Sequence, residues 1–157
     1  MNDQAIRLES LRQEAQTFDL MAGNLYDYLD HGHPDEQQRR QALAEIADYE
    51  REEQERRRQL HEALVALRAA APQVVQEWVG WHMDICQHTI AEGKETPSDQ
   101  DGSVTDQAVR LHVAQQTLAE WKKVLNGEQD FVSINAYYLR DYYEQVSAAV
   151  EKGQPRS

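Results

Sequence analysis

A chain of 157 residues, 40% hydrophobic and 28% charged, is long enough to bury a proper core and too apolar to be a disordered segment. Its formal net charge of −12 argues against recognition of nucleic acid through phosphates and for a protein partner with a basic surface. The single cysteine, Cys86, excludes an internal disulfide and a cysteine-built metal site, and no apolar run approaches the ~20 residues needed to span a bilayer.

The first predicted element runs from Asn2 to about Leu29. Leu8, Leu11, Ala15, Phe18, Ala22, Leu25 and Leu29 alternate three and four apart, which places them on one helical stripe. Asn2 or Asp3 caps the start, and Gly23 reads as a point of close approach by a neighbouring helix. The turn Asp30-His31-Gly32-His33-Pro34 ends this helix, with Gly32 expected near C′. A turn this short predicts an antiparallel hairpin with the next element.

That second element, Asp35 to Ala71, organises the chain. It opens on Pro34-Asp35-Glu36 as a first turn. A seam runs through Leu43 and Ile46, then the ionic Glu50, Glu53 and Arg57, then Leu60, Leu64, Leu67 and Ala71. Burying three charges is costly, whereas Glu52 with Arg56 and Glu53 with Arg57 pair locally in the favoured i, i+4 order. The pattern therefore predicts one unbroken helix whose charged centre lies in water, other helices packing on its ends. A break near residues 50–55 is the alternative.

The third element follows Pro72 and extends to Glu92. Val74, Val75, Trp78, Trp81, His82, Ile85 and Ile90 form its apolar face, with Cys86 at the edge. The acidic stretch Gly93–Ser103 reads as a loop; residues 72–103 carry net charge −5 with Lys94 the only base. The fourth element starts at Ser103 or Thr105 and buries Val109, Leu111, Leu118, Trp121, Val124 and Leu125, with Gln115 bonding across the seam. Asn126-Gly127 ends it. The fifth, about Asp130 to Lys152, carries the pairs Tyr137, Tyr138 and Tyr142, Tyr143 one turn apart. Residues 153–157 are a tail. No strand pattern, internal repeat, phosphate-binding glycine loop or nucleophile motif occurs.

The fold class that follows is all-α: a single domain over residues 1–152, a bundle of four to five helices built on a long antiparallel hairpin. Its expected role is non-catalytic, that of an adaptor, inhibitor or immunity-type binder. Tyrosine is enriched at interfaces, so Tyr137, Tyr138, Tyr142 and Tyr143, with the acids Glu92, Glu95, Asp99 and Asp101, form the expected contact surface. A homodimer through the first helix's seam is a second expectation. No cofactor or metal is expected: His31, His33 and Asp30 lack further ligands, and the chain has no Glu-x-x-His of di-iron bundles. The N-terminus MNDQAIRLES lacks the basic-then-apolar layout of a secretion signal, so the expected compartment is the cytoplasm.

Two enzyme families share short features with the second element. Arg56 and His61, spaced Arg-x4-His, resemble the signature of HEPN-type ribonucleases, themselves small helical bundles. The resemblance implies metal-independent RNA cleavage across a dimer cleft, with His61 moving the proton and Arg56 holding phosphorane charge. It covers six residues, and Arg57 stands where that family carries asparagine, aspartate or histidine. Glu45, Asp48, Glu52 and Glu53 resemble the magnesium site of helical pyrophosphohydrolases of the MazG type. There Glu-Glu-x-x-Glu is the rule, and Arg56 stands here in place of the third glutamate.

Overall fold

A computed structural model of the chain describes residues 1–95 and 103–132, with side chains described over 1–91 and 111–132. The described residues are all-helical: α1 (Asp3–His31), α2 (Glu36–Ala70), α3 (Pro72–Glu95) and α4 (Ser103–Leu125). Two compact units divide them, Met1–Trp78 and Val79–Val132, with the boundary inside α3. No helix among the described residues is long and apolar enough to cross a membrane.

In the first unit α1 and α2 form the expected antiparallel hairpin. The Asn2 side chain accepts from the Gln4 N–H and caps α1. Ala5, Leu8, Leu11, Ala15 and Ala22 are buried along its seam. Gly23 is no point of close approach: a Cβ built there meets nothing within 4 Å. Gly32 is the cap residue itself, in the right-handed region, and His33 takes the left-handed conformation at φ 51°. Glycine is needed at 32 for room: a Cβ would lie 2.5 Å from Tyr28 Cδ1. Pro34 stays outside α2, whose cap is Asp35, locked in a reciprocal capping box with Gln38.

α2 runs unbroken for 35 residues, about 52 Å at 1.5 Å per residue. Its buried positions are Ala42, Ile46, Leu60 and Leu64, while Leu43 is 45% exposed. The centre departs from the expected register. α1 runs alongside it, and Tyr49, Glu50, Glu53 and Arg56 are all half-buried while Arg57 is exposed, so the inward-facing set is wider than the expected Glu50, Glu53 and Arg57. Phe18 of α1 packs between them, 6.2 Å from the Tyr49 ring centre and with the Arg56 guanidinium 5.4 Å over its face. Arginine can take an inward position because its stem is apolar and its head reaches Glu52 at 2.9 Å and Glu14 at 3.5 Å. The centre of α2 is thus half in water and half against α1. Ala71 makes the bend to α3, which starts on Pro72, where a missing N–H costs nothing.

The first turns of α3 complete this unit by burying Val74, Val75 and Trp78. Trp78 Nε1 donates to Glu9 Oε1 at 3.0 Å. Glu9, only 7% exposed, also accepts from Arg12 Nε and Nη2 and from Gln13 Nε2. A buried carboxylate survives because its oxygens are fully engaged by donors, one of them cationic.

In the second unit α3 buries Val79, His82 and Cys86. Cys86 is therefore in the seam rather than at its edge, whereas Trp81 and Ile85 are 43% and 47% exposed. α4 packs on α3 through Trp121, whose ring stacks on His82 at 3.9 Å and 7°. Ala114, Trp121 and Val124 are buried; Leu125 is 41% exposed and Gln115 is exposed, so Gln115 does not bond across the seam. The helix ends in a Schellman motif, with Gly127 at φ 80° and the Glu128 N–H donating to Lys123 O. α3 continues through residues 93–95, which were expected in the loop, and Asp130–Val132 are not helical. The remainder of the predicted fifth helix lies outside the described residues.

Candidate functional site: an acidic groove between the first two helices

The first unit holds an open groove of about 540 Å³ between α1 and α2. α1 contributes Asp19, Ala22, Gly23, Tyr26 and Asp30; α2 contributes Glu50, Glu53, Gln54 and Arg57. Both sets recur at three- and four-residue steps, so each helix offers one continuous flank beside the hairpin seam. Two small residues on α1, Ala22 and Gly23, leave the space, and long polar side chains from α2 line the opposite wall. Four carboxylates face one guanidinium there. A recess with walls of one sign focuses the field and raises the local concentration of cations.

Local contacts order this lining. The Tyr26 hydroxyl donates to Glu50 Oε1 across the two helices. That bond to a carboxylate holds the phenol proton, so the Tyr26 pKa lies above its ordinary 10.0. Arg57 Nη1 reaches Glu53 Oε1 at 3.4 Å, a long contact. The Glu53 side chain is 15% exposed, and desolvation raises its pKa above the ordinary 4.5. Arg57 pulls in the opposite direction, while Asp19 and Glu50 add to the rise. Outside the groove, Arg58 binds Glu55 at 2.6 Å and Glu62 at 2.5 Å. Its hydrogen bond, with one from Gln59, lowers the Glu55 pKa to about 2.

The sequence-predicted residues fall in several places. Glu53 lines the groove, while Asp48 is paired with Arg51 at 3.0 Å and Glu52 with Arg56. Arg56 is held against Phe18, and His61 is exposed; five residues apart, they leave the helix about 140° from one another. One chain does not bring them together. His31 lies 3.7 Å from Asp27. Among the described residues no group of three His, Cys, Asp or Glu side chains is arranged to hold a metal ion. Tyr137, Tyr138, Tyr142, Tyr143, Asp99 and Asp101 lie outside the described residues, and of Glu92 and Glu95 only the helical backbone is described.

The α1 half of the groove escaped sequence reasoning. Its signal is the polar row Asp19, Tyr26, Asp30 interrupted by Gly23, which flanks the apolar stripe at the same period. Glu9 was missed as well, since an isolated glutamate inside a helical pattern reads as a surface residue.

Fold and groove together describe an all-helical chain, built on a long hairpin, with an electronegative recess beside its seam. No protein-family model matches this chain, and no curated protein or solved structure matches it.

Proposed function

We propose that this chain is a non-catalytic interaction protein, of the adaptor, inhibitor or immunity type, that receives a cationic segment of a protein partner in the α1–α2 groove. The observation that carries the reading is the lining: Asp19, Asp30, Glu50 and Glu53 around an open recess with Arg57 as the one base. An arginine or lysine side chain entering there would gain charge-assisted hydrogen bonds, each contributing about 1.5–3 kcal/mol. The net charge of −12 steers a basic partner toward the chain at long range. The tyrosine pairs of residues 137–143 and the acids of residues 92–101 are offered as a second contact region of the same protein.

A fluorescein-labelled hexa-arginine peptide tests this at physiological salt. The wild type binds it, and Glu50→Gln/Glu53→Gln weakens binding about tenfold or more, the loss of one good charge-assisted bond. Glu36→Gln/Glu62→Gln removes the same charge from exposed sites outside the groove and leaves affinity within about twofold, because screened surface charges contribute little. Equal losses in both variants would reduce the effect to bulk charge and sink the reading. A ribonuclease acting through Arg56 and His61 would instead cleave RNA without metal and stop on His61→Ala.

A further inference from the structure

Four asparagines occur in the chain, and their surroundings differ. Asn2 caps α1, its side chain accepting from the Gln4 N–H. Asn24 lies inside α1 ahead of Leu25, and Asn135 lies outside the described residues. Asn126 alone precedes a glycine. It is exposed at the end of α4, and among the described residues its carboxamide makes no hydrogen bond.

We infer that Asn126 is a self-modification site, at which the Gly127 nitrogen displaces ammonia from the Asn126 carboxamide. Solvent hydroxide takes the Gly127 N–H proton, and the nitrogen bonds to Asn126 Cγ. The Cγ–Nδ2 bond breaks, water returns a proton to the departing nitrogen, and ammonia leaves behind a five-membered imide. A second water opens the imide at one or other carbonyl, giving aspartate or isoaspartate. Glycine favours the attack because no Cβ crowds its nitrogen, and the reacting atoms already belong to one short stretch of chain. The folded cap restrains it. The Gly127 N–H donates to Val124 O at 3.1 Å and the Glu128 N–H to Lys123 O at 2.8 Å, which holds both the proton and the main chain around the nucleophile. Conversion therefore runs through opening of this last turn, the part of a helix that frays first. Either acid places a negative charge at the negative end of the helix dipole. Isoaspartate also adds a carbon to the main chain between Asn126 and Gly127, taking the two donors out of register with their acceptors. Trp121 and Val124, both buried, lie just before this site.

The full chain is incubated in mildly alkaline buffer, folded or unfolded in guanidinium chloride, beside Asn126→Gln, which would have to close a larger ring. Replacement of NH2 by OH raises the mass, and the gain is placed at Asn126 by fragmenting the tryptic peptide that begins at Val124. Asp101-Gly102 can also form isoaspartate, but without a change of mass, so it does not enter the reading. The folded protein is expected to convert at Asn126 about tenfold to a hundredfold more slowly than the unfolded chain, the population cost of opening the two backbone bonds of the cap. It still converts there faster than at Asn24, and Asn126→Gln gains no mass at that position. Equal rates in the two states overturn the restraint by the cap. No gain at Asn126 in the folded protein while the unfolded chain converts, or a faster gain at Asn24, overturns the site. The isoaspartyl form, separated by anion exchange, melts below Asn126→Asp, which carries the charge without the added carbon; melting at or above it overturns the backbone effect.

Discussion

Replacing Glu9 by alanine probes the contact that fastens the hairpin to the first turns of α3. Glu9 Oε1 accepts from Trp78 Nε1 and Arg12 Nε, both at 3.0 Å, and Oε2 accepts from Arg12 Nη2 at 2.7 Å and Gln13 Nε2 at 2.8 Å. Truncation leaves the indole N–H of a fully buried tryptophan without this acceptor, a cost of about 1–3 kcal/mol. It also removes the carboxylate from Arg12, whose side chain is 15% exposed, and breaking a buried pair costs about 3–5 kcal/mol. These are not additive, and Arg12 retains Gln16 Oε1 at 2.6 Å. The expected loss is therefore about 3–5 kcal/mol, read from urea denaturation followed by circular dichroism. Glu9→Gln keeps an acceptor for Trp78 and should lose less. Glu9→Met/Arg12→Met removes both charges at once and should recover only the part of the loss that comes from the broken ion pair, since the Trp78 N–H still lacks this acceptor. A Glu9→Ala loss below about 1 kcal/mol, or a double variant as unstable as the single, would refute the reasoning.

Two further substitutions test the groove as a physical object. Gly23→Ala should stabilise the protein by about 0.5–1 kcal/mol, because the site is helical and a Cβ there meets nothing; a lower thermal midpoint would show that the space is filled. Glu53→Gln should raise stability at neutral pH. Folding lifts the Glu53 pKa above its ordinary 4.5, chiefly by desolvation, so the ionised carboxylate weighs on the folded state. The wild type regains that stability as pH falls through the folded pKa, and the gap between variant and wild type should close below about pH 4.5, where both states are protonated. A gap that widens on acidification would reverse the sign and contradict the burial.

The helices were legible wherever apolar spacing or local capping decided them. Leu8, Leu11 and Ala15 define α1 by period alone, and the Asn2 and Asp35 caps need only neighbours two or three residues away. The reading failed where the choice among faces belonged to tertiary contacts. In α2 the charged centre gave a single ionic seam, whereas Phe18 of α1 packs against Tyr49 and Arg56 beside it, contacts no local rule contains. In α3 the apolar face spans about half of the helix, too wide for period to tell Val79 and Cys86, which are buried, from Trp81 and Ile85, which are not. The groove was half visible. Its acids on α2 were singled out as an ionic block, but its space comes from Ala22 and Gly23 on the other helix, and small residues give no sequence signal of what they leave open.

The most direct test of the account is an amide chemical-shift titration of the isotope-labelled protein with the hexa-arginine peptide. The largest shifts should cluster on the two flanks that line the recess, Asp19 to Asp30 on α1 and Glu50 to Arg57 on α2, and saturate together with one affinity. Shifts spread evenly over the acidic surface, or centred on a region away from these two flanks, would contradict it.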